Sequence, residues 1–356
     1  MTLGNEQVAV QNSNLSAVGA GFVAMDVVEG LETTFATAGG TCGNVMALLS
    51  WLGWNSFPIA RLGLDEPGDF VLEDLRLDGV RTDYVTQEKS VSTPVVVQKF
   101  KVDAEGHRSH RYVLTCPECG GWLPRFRPTT IRQAQPIIDT SVSPNVFFFD
   151  RVSPSALKLA SWVRENGGLV VFEPSSIADE NQFRKATNIC HILKFAEDRL
   201  GHLDDIRNLA DPDLIIQTHG SRGLEFRFGD TWFEMAAFEA PLFLDAAGSG
   251  DWCTAILLAE LGAKGMLVPE QWKADELIAA LNKGQAASAI NCGFEGARGA
   301  MYATEKPELF AAISSLAGGC DVSIERLVET KPEPRVKLCS LCKVPSFDEK
   351  DAAESA

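Results

Sequence analysis

Four apolar runs in the middle of the chain decide its fold: VFFFD (146–150), GLVVFE (168–173), CHILKF (190–195) and DLIIQT (213–218). Helix-compatible stretches fill the gaps between these runs. Continuous apolar strands that alternate with helices are typical of a parallel sheet that is covered on both faces. The sequence therefore predicts an α/β fold with three layers, in which helices lie on both sides of a mostly parallel central sheet.

The first third of the chain continues this alternation and then departs from it. Residues 17–28 are apolar and β-branched, residues 44–52 have helical spacing, and residues 56–62 form a short apolar strand pattern. Between residues 91 and 115, two strand-like runs flank a turn at residues 103–106. This pattern predicts a hairpin that belongs to a flap outside the main sheet.

The composition excludes several classes of function. The 356 residues carry a net charge of −16, which argues against general affinity for nucleic acid or for an anionic membrane. The N-terminus has no secretory pattern, and no apolar stretch approaches the length of about 20 residues that spans a membrane. The odd number of cysteines, nine, favours reduced thiols and a cytoplasmic location. Residues 1–328 are predicted to form the main domain, and residues 329–356 a charged linker and tail.

The segment LDAAGSGDWCTAILL (244–258) carries the clearest chemical signal. Gly248, Ser249 and Gly250 form a turn, and Asp251 opens an apolar helix. The glycines let backbone N–H groups approach an anion, and the helix N-terminus adds unpaired donors with partial positive charge. Asp251 is placed to accept a proton from an attacking hydroxyl, although an aspartate that merely caps the helix gives the same pattern.

This segment resembles the C-terminal signature of the ribokinase-like (PfkB) family of sugar and nucleoside kinases, and the resemblance extends over most of residues 15–304. It implies a ribokinase-like fold with a small β lid, Asp251 as the catalytic base, and backbone amides of residues 248–251 as an anion hole. ATP is implied as co-substrate and Mg²⁺ as its partner. Ala246 replaces the usual threonine, which leaves open whether a monovalent cation binds near this turn.

Motifs near the N-terminus imply the substrate site. VGAGFVAMDVVEG resembles the family's first strand, whose trailing aspartate binds substrate hydroxyls, and Asp26 matches it. AGGTCGNVMALLSWLG resembles the Gly-Gly-x-x-x-Asn motif, which gives Gly39, Gly40 and Asn44. Lid segments at residues 26–38 and 91–115 would cover the substrate. Within the second segment, Arg108 is either a substrate contact or an exposed charge of the hairpin, while His107 and His110 are predicted at the surface.

Motifs in the second half imply the nucleotide site. ILKFAEDRL resembles an Asn-x-x-Glu motif that places magnesium through water, with lysine in the place of the asparagine. IIQTHGSRG resembles a Thr-x-Gly-x-x-Gly nucleotide loop, and QAASAINCGFEGARGAM occupies the place of the helix and loop beside adenine. The implied nucleotide-binding residues are Lys194, Glu197, Thr218, Gly220, Gly223, Asn291 and Gly293.

Two Cys-x-x-Cys pairs lie outside all of these motifs. Cys116 and Cys119 are followed by a glycine, in the form seen in structural zinc sites, and Cys339 and Cys342 lie beyond the linker. Together they supply the four thiolates of a tetrahedral site. The hypothesis is a structural zinc ion that holds the tail to the base of the lid. A redox-active pair and unrelated cysteines are the alternatives.

The resemblance thus implies an ATP-dependent kinase that phosphorylates a hydroxyl of a small sugar-like molecule. The alternative is a regulatory protein that binds a nucleotide or sugar without turnover. A homodimer that pairs two lids is implied by analogy only.

Overall fold

The computed structural model describes residues 15–30, 34–102, 108–201, 206, 211–323 and 341–342. Within these ranges the chain forms one nine-stranded sheet, one four-stranded sheet and a set of helices packed on the larger sheet. None of the helices in this part of the chain combines the length and the hydropathy that crossing a membrane requires. The predicted boundary between the main domain and the tail stays a prediction.

The nine-stranded main sheet is mostly parallel. Its strands are β1 (Ser16–Ala20), β4 (Asn55–Gly63), β5 (Val85–Glu88), β8 (Val146–Phe149), β9 (Leu169–Phe172), β10 (Ile192–Ala196), β11 (Leu214–Thr218), β12 (Leu224–Phe228) and β13 (Thr231–Met235). They lie in the order β13-β12-β11-β10-β9-β8-β1-β4-β5. Neighbours from β11 to β5 are parallel, and β12 and β13 add an antiparallel hairpin at one edge. The four predicted apolar strands are confirmed.

The second sheet, called the lid here, contains β2 (Ala24–Glu29), β3 (Thr34–Gly39), β6 (Val95–Val102) and β7 (Arg108–Val113) in the order β3-β2-β6-β7. The predicted hairpin is confirmed, because β6 and β7 pair antiparallel. The run at residues 17–28, predicted as one strand, is divided between the two sheets. The chain leaves β1 at Gly21, where a Cβ atom would lie 1.6 Å from Asp150 Oδ1, and enters the lid at β2.

Ten helices connect and cover the strands in the described residues. They are α1 (Thr41–Trp51), α2 (Glu66–Leu77), α3 (Ile131–Asp139), α4 (Pro154–Glu165), α5 (Glu180–Ile189), α6 (Glu197–Leu200), α7 (Ser249–Ala263), α8 (Ala274–Asn291), α9 (Gly299–Ala303) and α10 (Lys306–Ala317). Pro67 lies in the first turn of α2, and the Asp65 side chain caps that helix by accepting a hydrogen bond from Gly68 N.

Alternating side chains of β8 show how the three layers are held together. Phe147 and Phe149 point to one face of the sheet and pack with α3, α4 and α5, while Phe148 points to the other face and packs with α1, α7 and α8. All three rings are fully buried. Because a strand that is buried on both faces has no solvent-facing side, its residues do not alternate between apolar and polar. This accounts for the continuous apolar run in the sequence.

Candidate active site

A cavity of about 520 Å³ opens between the lid and the carboxyl ends of the parallel strands. The lid contributes Asp26, Val96 and His110 to its lining, and the main sheet contributes residues that directly follow strands, such as Arg151 and Glu173. Loops at the carboxyl ends of parallel strands are where open α/β sheets bind ligands. Of the sequence-predicted site residues, the cavity brings together Asp26, Gly40, Asn44, Lys194, Thr218, Gly248, Ser249, Gly250 and Asp251.

The predicted turn at residues 248–251 lies at the N-terminus of α7. Gly248 adopts a left-handed conformation with φ of 73°, which favours glycine. A Cβ atom there would also lie 2.1 Å from Ala297 O, so a larger residue would clash. Trp252 N donates to Gly248 O, four residues earlier, and this is the first helical hydrogen bond of α7. The amides of Gly250 and Asp251 precede it in the first turn, where helix geometry provides no intrahelical acceptor. The turn thus presents amide donors beside the cavity.

Asp251 is a buried carboxyl at this turn, only 8% exposed. Its Oδ2 atom accepts a hydrogen bond of 2.7 Å from Asn44 Nδ2. Burial, together with the nearby Glu173 carboxylate, raises the pKa of Asp251 to about 8, although the bond from Asn44 opposes this shift. A carboxyl with its pKa near neutrality takes up and releases a proton readily, which suits a general base better than a helix cap.

The orientation of the Asn44 amide follows from a buried arginine. Arg298 donates through Nη1 to Asn44 Oδ1 at 3.0 Å, and its Nη2 atom lies 3.3 Å from Asp74 and 3.1 Å from Asp78. Because a guanidinium only donates hydrogen bonds, the oxygen of Asn44 must face Arg298 and the NH₂ group must face Asp251. Arg298 was missed in the sequence, since no local pattern places it beside Asn44.

Lys194 connects strand β10 to the same turn. Its ammonium is buried, lies 2.5 Å from Glu173 Oε1 and donates to Gly250 O at 3.1 Å. Burial works against the charged ammonium, but the Glu173 carboxylate outweighs it and the pKa of Lys194 is raised. Glu173 also accepts a bond of 2.6 Å from Thr254 Oγ1 in α7. The lysine that replaces the family's asparagine therefore supports the turn and also lines the cavity.

Asp26 lies in the lid part of the cavity. Burial raises its pKa to about 7, and its Oδ2 atom accepts a weak hydrogen bond of 3.4 Å from Gly40 N. A Cβ atom at Gly39 would lie 1.9 Å from Asp26 Oδ2, so Gly39 acts by leaving room for this carboxyl. Gly40 has φ of 80° and precedes α1 as its N-cap.

Two lid residues contact Asp245, at the beginning of the turn segment. His110 Nδ1 lies 2.9 Å from Asp245 Oδ1, and Gln98 Nε2 donates to Oδ2 at 2.6 Å. The backbone amides of Ala247 and Gly296 donate to the same carboxylate. Burial disfavours its charged form, but the bonds from His110 and Ala247 outweigh burial and hold the pKa of Asp245 below its usual value. His110, expected at the surface, is thus a link between the lid and the turn.

Several predicted nucleotide-binding residues lie outside the described lining of the cavity. Glu197 pairs with His219, at 2.9 Å, and with Arg222. The buried Asn291 amide donates to Ala247 O and accepts from Ala300 N, so it supports the backbone beneath the turn. The remaining members of this group are Gly220, Gly223 and Gly293.

The predictions for two further site residues, Gly223 and Arg108, have different outcomes in the structure. Gly223 has φ of 102°, and a Cβ atom there would lie 2.0 Å from Met235 O, so the glycine of the predicted nucleotide loop is required by the β12–β13 hairpin. Arg108 begins β7, but its side chain lies outside the described part of the chain. Arg108 therefore stays a prediction.

The sequence missed three further charged residues of the cavity: Arg151, Asp198 and Arg199. Arg151 lines the cavity beside Phe22 and pairs with the buried Asp150 at 3.0 Å. Asp198 and Arg199 line it after β10. The one available signal was their position directly after a predicted parallel strand, since this is where the backbone reaches the ligand edge of the sheet.

Three of the four predicted zinc ligands lie together, outside this cavity. The Sγ atoms of Cys116, Cys119 and Cys342 are all within 4.8 Å of one another. Cys339 lies outside the described residues.

Comparison with known proteins agrees with this fold. The family model of the pfkB family carbohydrate kinases matches residues 15–303. A fructokinase from Vibrio alginolyticus is 23% identical over 257 residues, which cover 67% of this chain and 81% of that protein.

Solved structures show the same fold. An aminoimidazole riboside kinase from Salmonella enterica, complexed with aminoimidazole riboside and an ATP analogue, superposes with a TM-score of 0.63 at 19% identity, covering 83% of this chain and 99% of the other. A fructokinase from Xylella fastidiosa with bound ATP gives a TM-score of 0.65 at 17% identity, covering 85% and 99%. The predicted ribokinase-like fold is therefore confirmed. With the family model spanning most of the chain, this protein belongs to the pfkB family of carbohydrate kinases.

Proposed function

We propose that this protein transfers the γ-phosphoryl group of ATP to a hydroxyl of a small sugar-like substrate, with Asp251 as the general base. One observation carries the proposal: the buried Asp251 carboxyl, whose pKa is raised to about 8, lies in the first turn of a helix whose N-terminal residues line the same cavity. A base and donors for developing negative charge are the two groups that phosphoryl transfer to a hydroxyl requires of the protein.

Asp251 lies between two chemically different halves of the cavity. Asp26, Gly40 and Asn44 form the lid half, where carboxyl, amide and backbone groups offer both acceptors and donors for hydroxyls. Lys194, in the middle of β10, and Thr218, at the end of β11, belong to the other half. We assign the lid half to the acceptor and the strand-end half to the nucleotide.

The reaction then proceeds by one displacement. The acceptor hydroxyl gives its proton to ionised Asp251, its oxygen forms a bond to the γ-phosphorus, and the bond from that phosphorus to the β,γ-bridging oxygen breaks to release ADP. The amides of Gly250 and Asp251 donate to the transferring group while its charge spreads over the equatorial oxygens. The acceptor is bound with Asn44 already aimed at the base, so the base keeps its orientation through the transfer.

Charge in the nucleotide half suits a triphosphate. Lys194 and Arg199 supply cations at this end, and Asp198 supplies a carboxylate of the kind that Mg²⁺ prefers. When bound, Mg²⁺ neutralises triphosphate charge. Lys194 is engaged with Glu173, so its contribution to binding is a fixed positive charge next to the turn.

An acceptor screen tests the proposal. Purified protein is mixed with Mg²⁺ and ATP and with a panel of ketoses, aldoses, sugar acids and nucleosides, and ADP release is measured together with the mass of the product. We expect one class of acceptor to gain a phosphate. If the panel binds, as seen by thermal shift, but no member is phosphorylated, the alternative of a regulatory sugar- or nucleotide-binding protein replaces this one.

A further inference from the structure

The cysteines outside the active site form a cluster that the kinase reaction does not use. Cys116 and Cys119 come from the segment that follows lid strand β7, and Cys342 comes from the C-terminal tail. Their three Sγ atoms lie within 4.8 Å of one another. In a tetrahedral zinc site, Zn–S bonds of about 2.3 Å place the sulfur atoms roughly 3.8 Å apart, so the cluster has the dimensions of such a site.

The backbone of residues 116–121 is folded so that two thiols share one side. Gly120 N donates to Cys116 O at 2.9 Å, and Cys116 N donates to Gly121 O at 2.7 Å. Gly120 has φ of 72°, a left-handed conformation that favours glycine. This tight turn brings Cys119 back toward Cys116, which is the arrangement that a Cys-x-x-Cys pair needs to bind one ion.

The third thiol enters where the turn leaves space for it. A Cβ atom added at Gly121 would lie 3.3 Å from Cys342 Cβ and 3.4 Å from Cys119 Sγ. Both distances are shorter than most Cβ contacts in proteins, so glycine at position 121 lets the two cysteines come close. Leu341 and Cys342 pack against the main hydrophobic core, to which Cys116 and Leu123 also belong. The tail segment is therefore in contact with the turn through both apolar side chains and sulfur.

A disulfide or simple apolar packing accounts for less of this geometry than a metal site does. The buried Cys42, Cys190 and Cys253 serve as small apolar side chains, and none of them belongs to a group of three candidate metal ligands among the described residues. A disulfide joins two sulfur atoms and would leave the third thiol without a role. Three convergent thiols from two distant segments match a metal site, and thiolate sets of this kind are typical of structural zinc and unlike the oxygen ligands of Mg²⁺, Ca²⁺ or Mn²⁺.

We propose that Cys116, Cys119 and Cys342 bind a structural zinc ion that fastens the C-terminal tail to the end of lid strand β7. Binding displaces the thiol protons into solvent. The strand that this site anchors, with the residue after it, carries His110, Tyr112 and Leu114, whose side chains line the active-site cavity. The zinc site thus holds one end of the strand that covers the substrate, and it does not depend on the proposed reaction.

The first test is the metal content of the full-length protein, purified without chelator and then equilibrated with zinc alone. We expect about one zinc ion per chain in the parent and in Cys320→Ser, a control at an exposed cysteine outside the cluster. Cys342→Ser, which alters only the tail, is expected to lose zinc or to bind it at least tenfold more weakly. Replacement of the zinc by Co²⁺ should give the visible spectrum of a tetrahedral thiolate site in the parent. A parent that takes up no zinc, or holds it equally well as Cys342→Ser, overturns the proposal.

The second test separates a metal site from a disulfide and from simple apolar packing. Trypsin is used to cut the chain after Arg335, which precedes both tail cysteines in the sequence. We expect the C-terminal peptide to stay bound during gel filtration under reducing conditions and to separate after a chelator is added. If the peptide leaves with or without chelator, or stays only until a reductant is added, zinc does not hold the tail. The same metal analysis on Cys339→Ser assigns the fourth ligand.

Discussion

The main sheet and the lid use β-strands in opposite ways. Central strands of the main sheet, such as β8 and β9, are buried on both faces, and Phe149 stacks on Phe172 with ring centroids 4.4 Å apart. In the lid strand β7, His110 and Tyr112 face the cavity while Arg111 is exposed on the other side. The helix that carries residues 248–251 packs against the main sheet, while lid residues His110 and Gln98 contact the turn segment through polar bonds to Asp245.

The difference teaches where each kind of residue acts. Groups that require fixed geometry, such as the amides of residues 248–251, lie on a helix packed against the main sheet. Some of the groups that we propose as substrate contacts lie on the lid, whose one-sided packing makes it easier to move. Substitutions in the two regions should therefore affect different measurable quantities.

Loss of the Asp251 carboxyl, the proposed base, should give the largest effect. Asp251→Asn keeps the size of the side chain and an acceptor for the Asn44 amide, but it removes the base. We expect kcat to fall by roughly a hundredfold to ten-thousandfold, as general-base removal typically does. Steady-state assays on the acceptor found in the screen measure this fall, with Asp230→Asn, at an exposed hairpin turn, as the control. A variant as fast as the parent would show that another group accepts the proton.

A matched pair of phenylalanine substitutions sharpens the contrast between the sheets. Phe149→Ala in the main sheet should lower the free energy of unfolding by about 3–5 kcal/mol, since it leaves a cavity in a ring stack. Phe35→Ala in lid strand β3, where the ring is 5% exposed, should cost about 1 kcal/mol less. Urea denaturation measures both values. Equal losses would mean that the lid is packed as tightly as the main sheet.

The polar attachment of the lid is tested at His110. His110→Ala removes the bond to Asp245, a hydrogen bond to a charged group that is worth about 1.5 kcal/mol or more. We expect the KM for the acceptor to rise roughly tenfold with a smaller change in kcat, because the lid closes less often. The control is Arg111→Ala, on the opposite side of the same strand. If both variants behave alike, the effect belongs to the strand and not to the attachment.

The smallest expected effect concerns stability and pH. The pKa of Asp251 is raised from 3.8 to about 8, so the folded protein holds a proton that the unfolded chain releases between these values. Stability contributed by this group is therefore lost as the pH rises from about 4 to about 8. Asp251→Asn does not carry this loss, so its Tm should exceed that of the parent by about 2 °C or more near pH 8.

Calorimetry at two pH values checks this sign. The difference in Tm between Asp251→Asn and the parent should shrink as the pH is lowered toward about 5, where both side chains are neutral in the folded state. A difference that is constant with pH would show that the pKa of Asp251 is not raised. Asp26 is present in both proteins, so its own titration contributes to both Tm values and cancels from the difference between them.

Some site residues can be identified from a short segment of sequence, and others cannot. Asp251 and Gly248 can be identified in the sequence because the turn, the glycine conformation and the helix start all lie within a few residues. The family motif assigns Asn291 to the nucleotide site, but its amide is bonded to backbone beneath the turn. Sequence position brings Asn291 to the correct region without revealing which way its side chain points.

The sequence by itself determined the parallel sheet, the lid hairpin and the glycine turn at residues 248–251, since periodicity and glycine placement are properties of short segments. Only the tertiary structure decided the orientation of Asn44, the raised pKa of Asp251 and the gathering of Cys342 with Cys116. Each of these depends on residues that are far apart in the chain. Burial and charge are set by such neighbours, because desolvation and Coulomb interactions depend on distances in space and not on separation along the sequence.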